Sequence, residues 1–182
     1  MLKNKKRICV FCGSSLGNNK LIQKEVIKLA KIISENNLEL VYGGAKIGLM
    51  GLIAKEVQRR GGKVIGIIPK FLDKKEIINK NLTQLHLVDS MHERKQKMYD
   101  ISDFFIALPG GIGTLEELFE IITWKQLKLK KAPIGILNIS NYYEKIIEHI
   151  HLMGKKDFLH KNFIEEIIVS NSSKDLINRI IN

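Results

Sequence analysis

The sequence predicts an α/β fold: a parallel sheet flanked by helices on both faces. Short apolar runs alternate with longer amphipathic segments, and three of the runs end in small-residue loops. The first run, Arg7–Phe11, reads as a strand ending at Gly13-Ser14-Ser15. A helix over Leu21–Glu35 follows, with Val26, Leu29, Ala30 and Ile33 in one stripe at helical spacing. Glu39–Tyr42 is the second strand, ending at Gly43-Gly44-Ala45, and Leu49–Arg60 the second helix, stopped by Gly61-Gly62. Strands over Lys63–Ile67 and Leu85–Val88 lead to a helix over His92–Ile101. Next come a strand over Phe104–Leu108, a helix over Leu115–Leu127 and a strand over Ile134–Leu137. Helices over Tyr142–Leu152 and Lys174–Ile180 complete the alternation, with Ile167–Val169 as a last short strand. No Pro/Ser-rich linker divides the chain, so residues 1–182 read as a single domain.

Composition narrows the function. With 182 residues and 45% apolar content the chain can bury a real core. Charges interrupt every apolar run before it could cross a bilayer. The basic start, Met1 to Arg7, runs into a strand rather than the apolar stretch of a signal peptide. Cys9 and Cys12 make no disulfide framework; three positions apart on a strand, they point to opposite faces and read as buried thiols of a cytoplasmic protein. The net charge of +11 suits a phosphate-bearing partner. Yet the lysines are dispersed and lack interleaved aromatics, which favours a small phosphorylated ligand over nucleic acid. The densest cluster, Lys128, Lys130 and Lys131, fits a solvated helix end equally well. His149, His151 and His160 lack carboxylates at metal-ligand spacing, so no metal is expected.

The segment Leu108 to Glu117 carries the sharpest signal. Gly110, Gly111 and Gly113 remove the side chains that would hold a backbone away from a ligand. Their amides can face an anion at a helix N-terminus, where the dipole favours negative charge. Glu117 sits one turn further on, within reach of whatever the loop holds. It has a second reading, because Thr114 and Glu117 fit a capping box with Thr114 at N-cap. Burial of that helix would desolvate Glu117 and raise its pKa unless Arg94 or backbone donors offset the effect. A second cluster, Asp89-Ser90-Met91-His92-Glu93-Arg94-Lys95, offers the Arg94 fork and the Lys95 charge to a phosphate or carboxylate. The plainer reading is a helix start capped by Asp89 or Ser90 with a solvated charged face. No Gly-x-Gly-x-x-Gly follows the first strand, so a dinucleotide fingerprint is not supported.

Together, Arg7 to Ser15, Met91 to Lys95, Pro109 to Glu117 and Ile122-Thr123-Trp124 resemble the LOG (Lonely guy) family of cytokinin-activating nucleoside 5′-monophosphate phosphoribohydrolases. The likeness runs to about Tyr143. It implies a Rossmann-like fold, a homodimer, and hydrolysis of cytokinin-type or plain adenine nucleotides such as AMP to free base and ribose 5-phosphate, with no cofactor. It also implies that Arg94 and Glu117 are the catalytic pair. Gly110, Gly111, Gly113 and Thr114 would hold phosphate or ribose, with Lys95 and Thr123 assisting, and Ser14, Gly43, Gly44 and Met91 lining the crevice. The alternative is a nucleotide or molybdenum-cofactor carrier without turnover. One departure stands out: the family commonly reads Tyr-Gly-Gly-Gly where this chain has Tyr42-Gly43-Gly44-Ala45. If the last position takes a positive φ, alanine costs about 1 kcal/mol there. Family members are often labelled lysine decarboxylases, but no Schiff-base lysine with pyridoxal-phosphate partners is legible.

Overall fold

A computed structural model describes residues 5–75, 77–160, 163 and 165–182, the side chains of 73–75 excepted. Met1–Asn4, the start of the basic N-terminal run, lie outside the described residues. The strands are β1 (Arg7–Phe11), β2 (Glu39–Tyr42), β3 (Val64–Pro69), β4 (Gln84–Val88), β5 (Phe104–Ala107), β6 (Ile134–Leu137) and β7 (Ile167–Ser170). They pair in the order β4-β3-β2-β1-β5-β6-β7, and every pair is parallel. The helices are α1 (Lys20–Glu35), α2 (Gly48–Arg59), α3 (Met91–Ile101), α4 (Ile112–Gln126), α5 (Glu144–Lys155) and α6 (Ser173–Ile181).

Both faces of the sheet are buried along β1, β2, β3, β5 and β6, which is why these strands read as largely apolar runs, whereas the edge strands β4 and β7 are partly exposed. Ile8 and Val10 of β1 join one core with Val26 and Leu29 of α1, Ile53 of α2 and Leu176 of α6. Cys9 and Phe11 face the opposite core, with Met98 of α3, Leu118 and Ile121 of α4, and Ile150 of α5. The two thiols lie in different cores, and both are free and buried. All seven expected strands are present, with ends moved by at most two residues.

The differences have local causes. Lys70–Lys75 forms a 3₁₀ helix after β3, too short to show periodicity in the sequence. Helix α4 starts at Ile112, with Gly111 rather than Thr114 at N-cap. Helix α5 starts at Glu144 because Ser140 and Asn141 both take positive φ, 54° and 58°. Gly44, at φ 75°, takes the left-handed position of its loop, whereas Ala45 does not. The alanine methyl packs against Ile68 and Ile78, so its place in the loop carries no backbone strain.

The chain winds outward from β1 to β4, then returns to place β5 on the other side of β1. Ligands of open α/β sheets bind at such a reversal, outside the carboxyl ends of the strands. Here the Gly13 amide donates to the Pro109 carbonyl at 3.2 Å, joining the loops after β1 and β5 at that point.

Candidate active site

A cleft of about 360 Å³ opens over this reversal. Its polar side holds Ser14, Arg94, Glu116, Glu117, Thr114 and the backbone of Gly111 to Gly113. Its apolar side holds Ile47, Met50, Ile68, Leu72, Ile77 and Met91. The backbone of 77–79 is laid along the β2 loop: Lys46 N donates to Ile77 O at 2.8 Å, and Asn79 N to Gly44 O at 2.9 Å.

Arg94 is brought inward by a well-made helix start. Ser90 caps α3 by accepting the Glu93 amide at 3.1 Å, while Glu93 accepts the Asp89 amide at 2.8 Å. The cap is therefore real, but the charged face is not all solvated. Arg94 is buried, with Nε donating to the Ile67 carbonyl at 3.2 Å and Nη1 lying 2.8 Å from Glu117 Oε1. The guanidinium lies over Gly43, where any larger residue would collide with it.

Glu117 does not act as a cap. It lies in the second turn of α4 and spends its side chain on Arg94, 23 positions back in the chain. Burial raises its carboxyl above the ordinary carboxylate range, and Arg94 opposes that rise by its charge and its hydrogen bond. This places a desolvated carboxyl group, paired with Arg94, in the lining of the cleft.

The α4 N-terminus has no side-chain cap. Among the described residues, no protein acceptor is found for the amides of Gly110, Gly111, Ile112 and Gly113. A Cβ on Gly111 or Gly113 would meet nothing within 4 Å, so both glycines front open space. Amides without a protein acceptor at a helix N-terminus are a setting in which an anion can be bound. Gly110 is a glycine for a different reason: a Cβ there would stand 2.1 Å from Thr114 Oγ1.

Ser14, Gly43, Met91, Arg94, Gly111, Gly113, Thr114 and Glu117 thus line one cleft. Gly44 and Gly110 shape the loops behind its wall. Lys95 points away, ion-paired with Glu116 and with Glu120 Oε1 at 3.1 Å. Burial would lower its pKa, but these two carboxylates raise it. Thr123 lies three turns along α4 and donates to the Phe119 carbonyl, outside the cleft. The sequence reading missed Cys12 and, Met91 apart, the apolar wall; it also missed Gly48, which packs on the Ser14 backbone without lining the cleft. Gly48 had a signal, a glycine opening a helix; its positive φ and a backbone contact with Ser14 leave no room for a Cβ.

Comparisons with known proteins place the chain in a family. A family model described as possible lysine decarboxylase matches residues 50–180. Cytokinin riboside 5′-monophosphate phosphoribohydrolase LOG1 of Arabidopsis thaliana is 44% identical over 175 residues, 96% of this chain and 82% of that protein. The chain belongs to the LOG family. Another LOG relative, the probable cytokinin riboside 5′-monophosphate phosphoribohydrolase LOGL2 of Oryza sativa subsp. japonica, is 42% identical, covering 96% of this chain and 72% of its own. Among solved structures, the molybdenum cofactor binding protein of Rippkaea orientalis superposes with TM-score 0.73 at 20% identity, over 99% of both chains. The Moco carrier protein of Chlamydomonas reinhardtii gives 0.71 at 18% identity, over 98% of this chain and 96% of that one. At that identity these two structures share the LOG fold and carry no argument about activity.

Proposed function

We propose that this LOG-family protein hydrolyses the N-glycosidic bond of adenine-type nucleoside 5′-monophosphates, AMP and its cytokinin-type forms, releasing free base and ribose 5-phosphate. The buried Arg94–Glu117 pair beside an uncapped helix N-terminus carries this reading. Cleavage builds positive charge on the ribose. The Glu117 carboxylate stabilises that charge and takes a proton from the water that attacks C1′. The C1′–N9 electron pair leaves with the purine, which gains a proton. Arg94 fixes the carboxylate and opposes the rise that burial gives its pKa. The 5′-phosphate rests on the amides of Gly110 to Gly113, remote from the scissile bond, so its binding energy serves orientation. The purine lies against Ile47, Met50, Ile68 and Leu72.

We further infer that the protein works as a homodimer in the cytoplasm and as a single domain. Ile112, 81% exposed at the mouth of the cleft, is an apolar contact a second copy would cover. The free thiols of Cys9 and Cys12 suit a reducing compartment. No described helix is long and apolar enough to cross a membrane.

The test is release of free base and ribose 5-phosphate from AMP and isopentenyladenosine monophosphate, comparing wild type with Glu117→Gln. Glutamine keeps an acceptor for Arg94 but removes the charge. Turnover lost in a folded variant that still binds nucleotide supports the hydrolase. Equal turnover in both removes Glu117 from the chemistry. Nucleotide bound by wild type without turnover points to a carrier.

A further inference from the structure

The carbonyls of the glycine loop are all occupied, and two neighbouring tyrosines occupy two of them. Tyr143 Oη donates to Leu108 O at 2.5 Å, and Gly13 N to Pro109 O at 3.2 Å. Tyr142 Oη donates to Gly110 O at 2.5 Å. Gly111 O accepts from the Thr114 and Leu115 amides at 3.0 and 3.2 Å, inside the first turn of α4. Four consecutive carbonyls are thereby held by protein donors, while among the described residues the amides of Gly110 to Gly113 find no protein acceptor.

We propose that Tyr142 is a positioning residue that aims the Gly111 amide into the cleft. The peptide between Gly110 and Gly111 is planar and trans, so its C=O and N–H point in opposite directions. Pinning the Gly110 carbonyl to a hydroxyl on one side directs the Gly111 N–H to the other. Glycines at 110 and 111 would otherwise leave that peptide free to rotate, because neither carries a Cβ to bias φ and ψ. The hydroxyl replaces the rigidity that a side chain would supply.

The tyrosine is itself delivered by a turn built for the purpose. Ser140 and Asn141, both left-handed, reverse the chain after β6, and left-handed backbone at non-glycine residues persists only where surroundings enforce it. Asn19 Nδ2 donates to Ser140 Oγ at 3.2 Å, and Asn138 Oδ1 accepts the Tyr143 amide at 2.7 Å. The two rings then meet edge-on, with centroids 5.0 Å apart. Tyr143 is fully buried and belongs to the core, whereas Tyr142 is 50% exposed. A half-exposed ring whose hydroxyl reaches back to a loop carbonyl adds little core burial. Its contribution is orientation.

This inference rests on reading the amides as the phosphate seat, and Tyr142→Phe tests it by removing one donor. The first measurement is calorimetric binding of ribose 5-phosphate and of adenine to wild type and variant, with thermal denaturation as the control for folding. The expected result is a loss of about tenfold in affinity for ribose 5-phosphate, the worth of one well-placed hydrogen bond, with adenine binding unchanged. In turnover of AMP, KM rises by a similar factor and kcat changes less. Ribose 5-phosphate bound equally by both proteins overturns the role of Tyr142 and leaves the phosphate seat standing. Equal losses for ribose 5-phosphate and adenine also overturn it, since they mark general loosening. If wild type binds neither ribose 5-phosphate nor AMP, the seat itself falls and the inference with it.

Discussion

Gly43 lies directly beneath the guanidinium of Arg94, so that a Cβ built on the glycine would stand 2.4 Å from Arg94 Nη2. The guanidinium is pinned from the other side by the Ile67 carbonyl and by Glu117. Gly43→Ala therefore has to displace Arg94, and Glu117 loses the position of its partner. Base release from AMP is expected to drop about 100-fold, the usual cost of an ångström-scale misplacement, with little change in melting temperature. A variant with wild-type activity would show that the guanidinium has room to move without consequence.

The same pair sets a pH dependence. Burial raises the Glu117 carboxyl and Arg94 opposes the rise, so removing Arg94 raises it further. In Arg94→Gln the ionised fraction of Glu117 at any given pH is smaller. The acid limb of the kcat/KM profile is expected to move to higher pH, alongside a loss of overall rate. A profile that falls in height without shifting would separate Arg94 from the ionisation of Glu117.

Two adjacent glycines should fail in different ways. A Cβ at 110 meets Thr114 Oγ1 at 2.1 Å and Gly13 N at 2.8 Å, whereas one at 111 meets nothing. Gly110→Ala is expected to destabilise the protein by about 1–3 kcal/mol through overpacking. Gly111→Ala should fold normally and weaken ribose 5-phosphate binding, because its methyl would occupy the space in front of the free amides. Urea denaturation and calorimetry on the two variants check both halves.

Much of this was readable in the sequence, and the limits are instructive. Buried parallel strands announce themselves as apolar runs, so β1, β2 and β6 begin and end where expected. Small-residue loops at Gly13, Gly43 and Gly110 marked the rim that became the cleft. What failed was local pattern without tertiary partner. Thr114 and Glu117 have capping-box spacing, but the helix starts at Ile112 with Gly111 at N-cap, and Arg94 claims Glu117. Arg94 could equally have lain on a solvated face until the sheet order set β3 and its Ile67 carbonyl beside it. The apolar wall was invisible for the same reason, since Ile47, Ile68 and Leu72 meet only through topology.

Stability carries its own pH signature, away from the cleft. Glu25 of α1 accepts both the amide and the hydroxyl of Ser173, at 2.9 and 2.8 Å, tying the start of α6 to α1. Burial alone would raise its carboxyl, but Ser173 and Lys28 together hold it below the ordinary carboxylate range. A depressed folded-state pKa gives stabilisation that is complete above the unfolded value and fades as pH falls through the folded one. Glu25→Ala is expected to lower stability by about 1–2 kcal/mol at pH 7, a difference that shrinks towards acid conditions. Denaturant curves at neutral and acid pH measure it; a constant difference would rule the carboxylate charge out.

Because β1 pairs with β5 rather than with β6 or β7, the seam under the cleft joins segments nearly a hundred residues apart. A ribosome that has released β1 to β4 has produced half a sheet whose central strand still shows one open edge, Ile8 to Phe11, to the surrounding water. That edge closes only when β5 emerges, and Glu117 reaches Arg94 only after the next helix follows it. Non-local pairing of this kind is slow and leaves a strand edge open to wrong partners. The β1 edge and the Arg94–Glu117 contact are therefore completed by consecutive elements, β5 and then α4, before β6 and β7 extend the sheet.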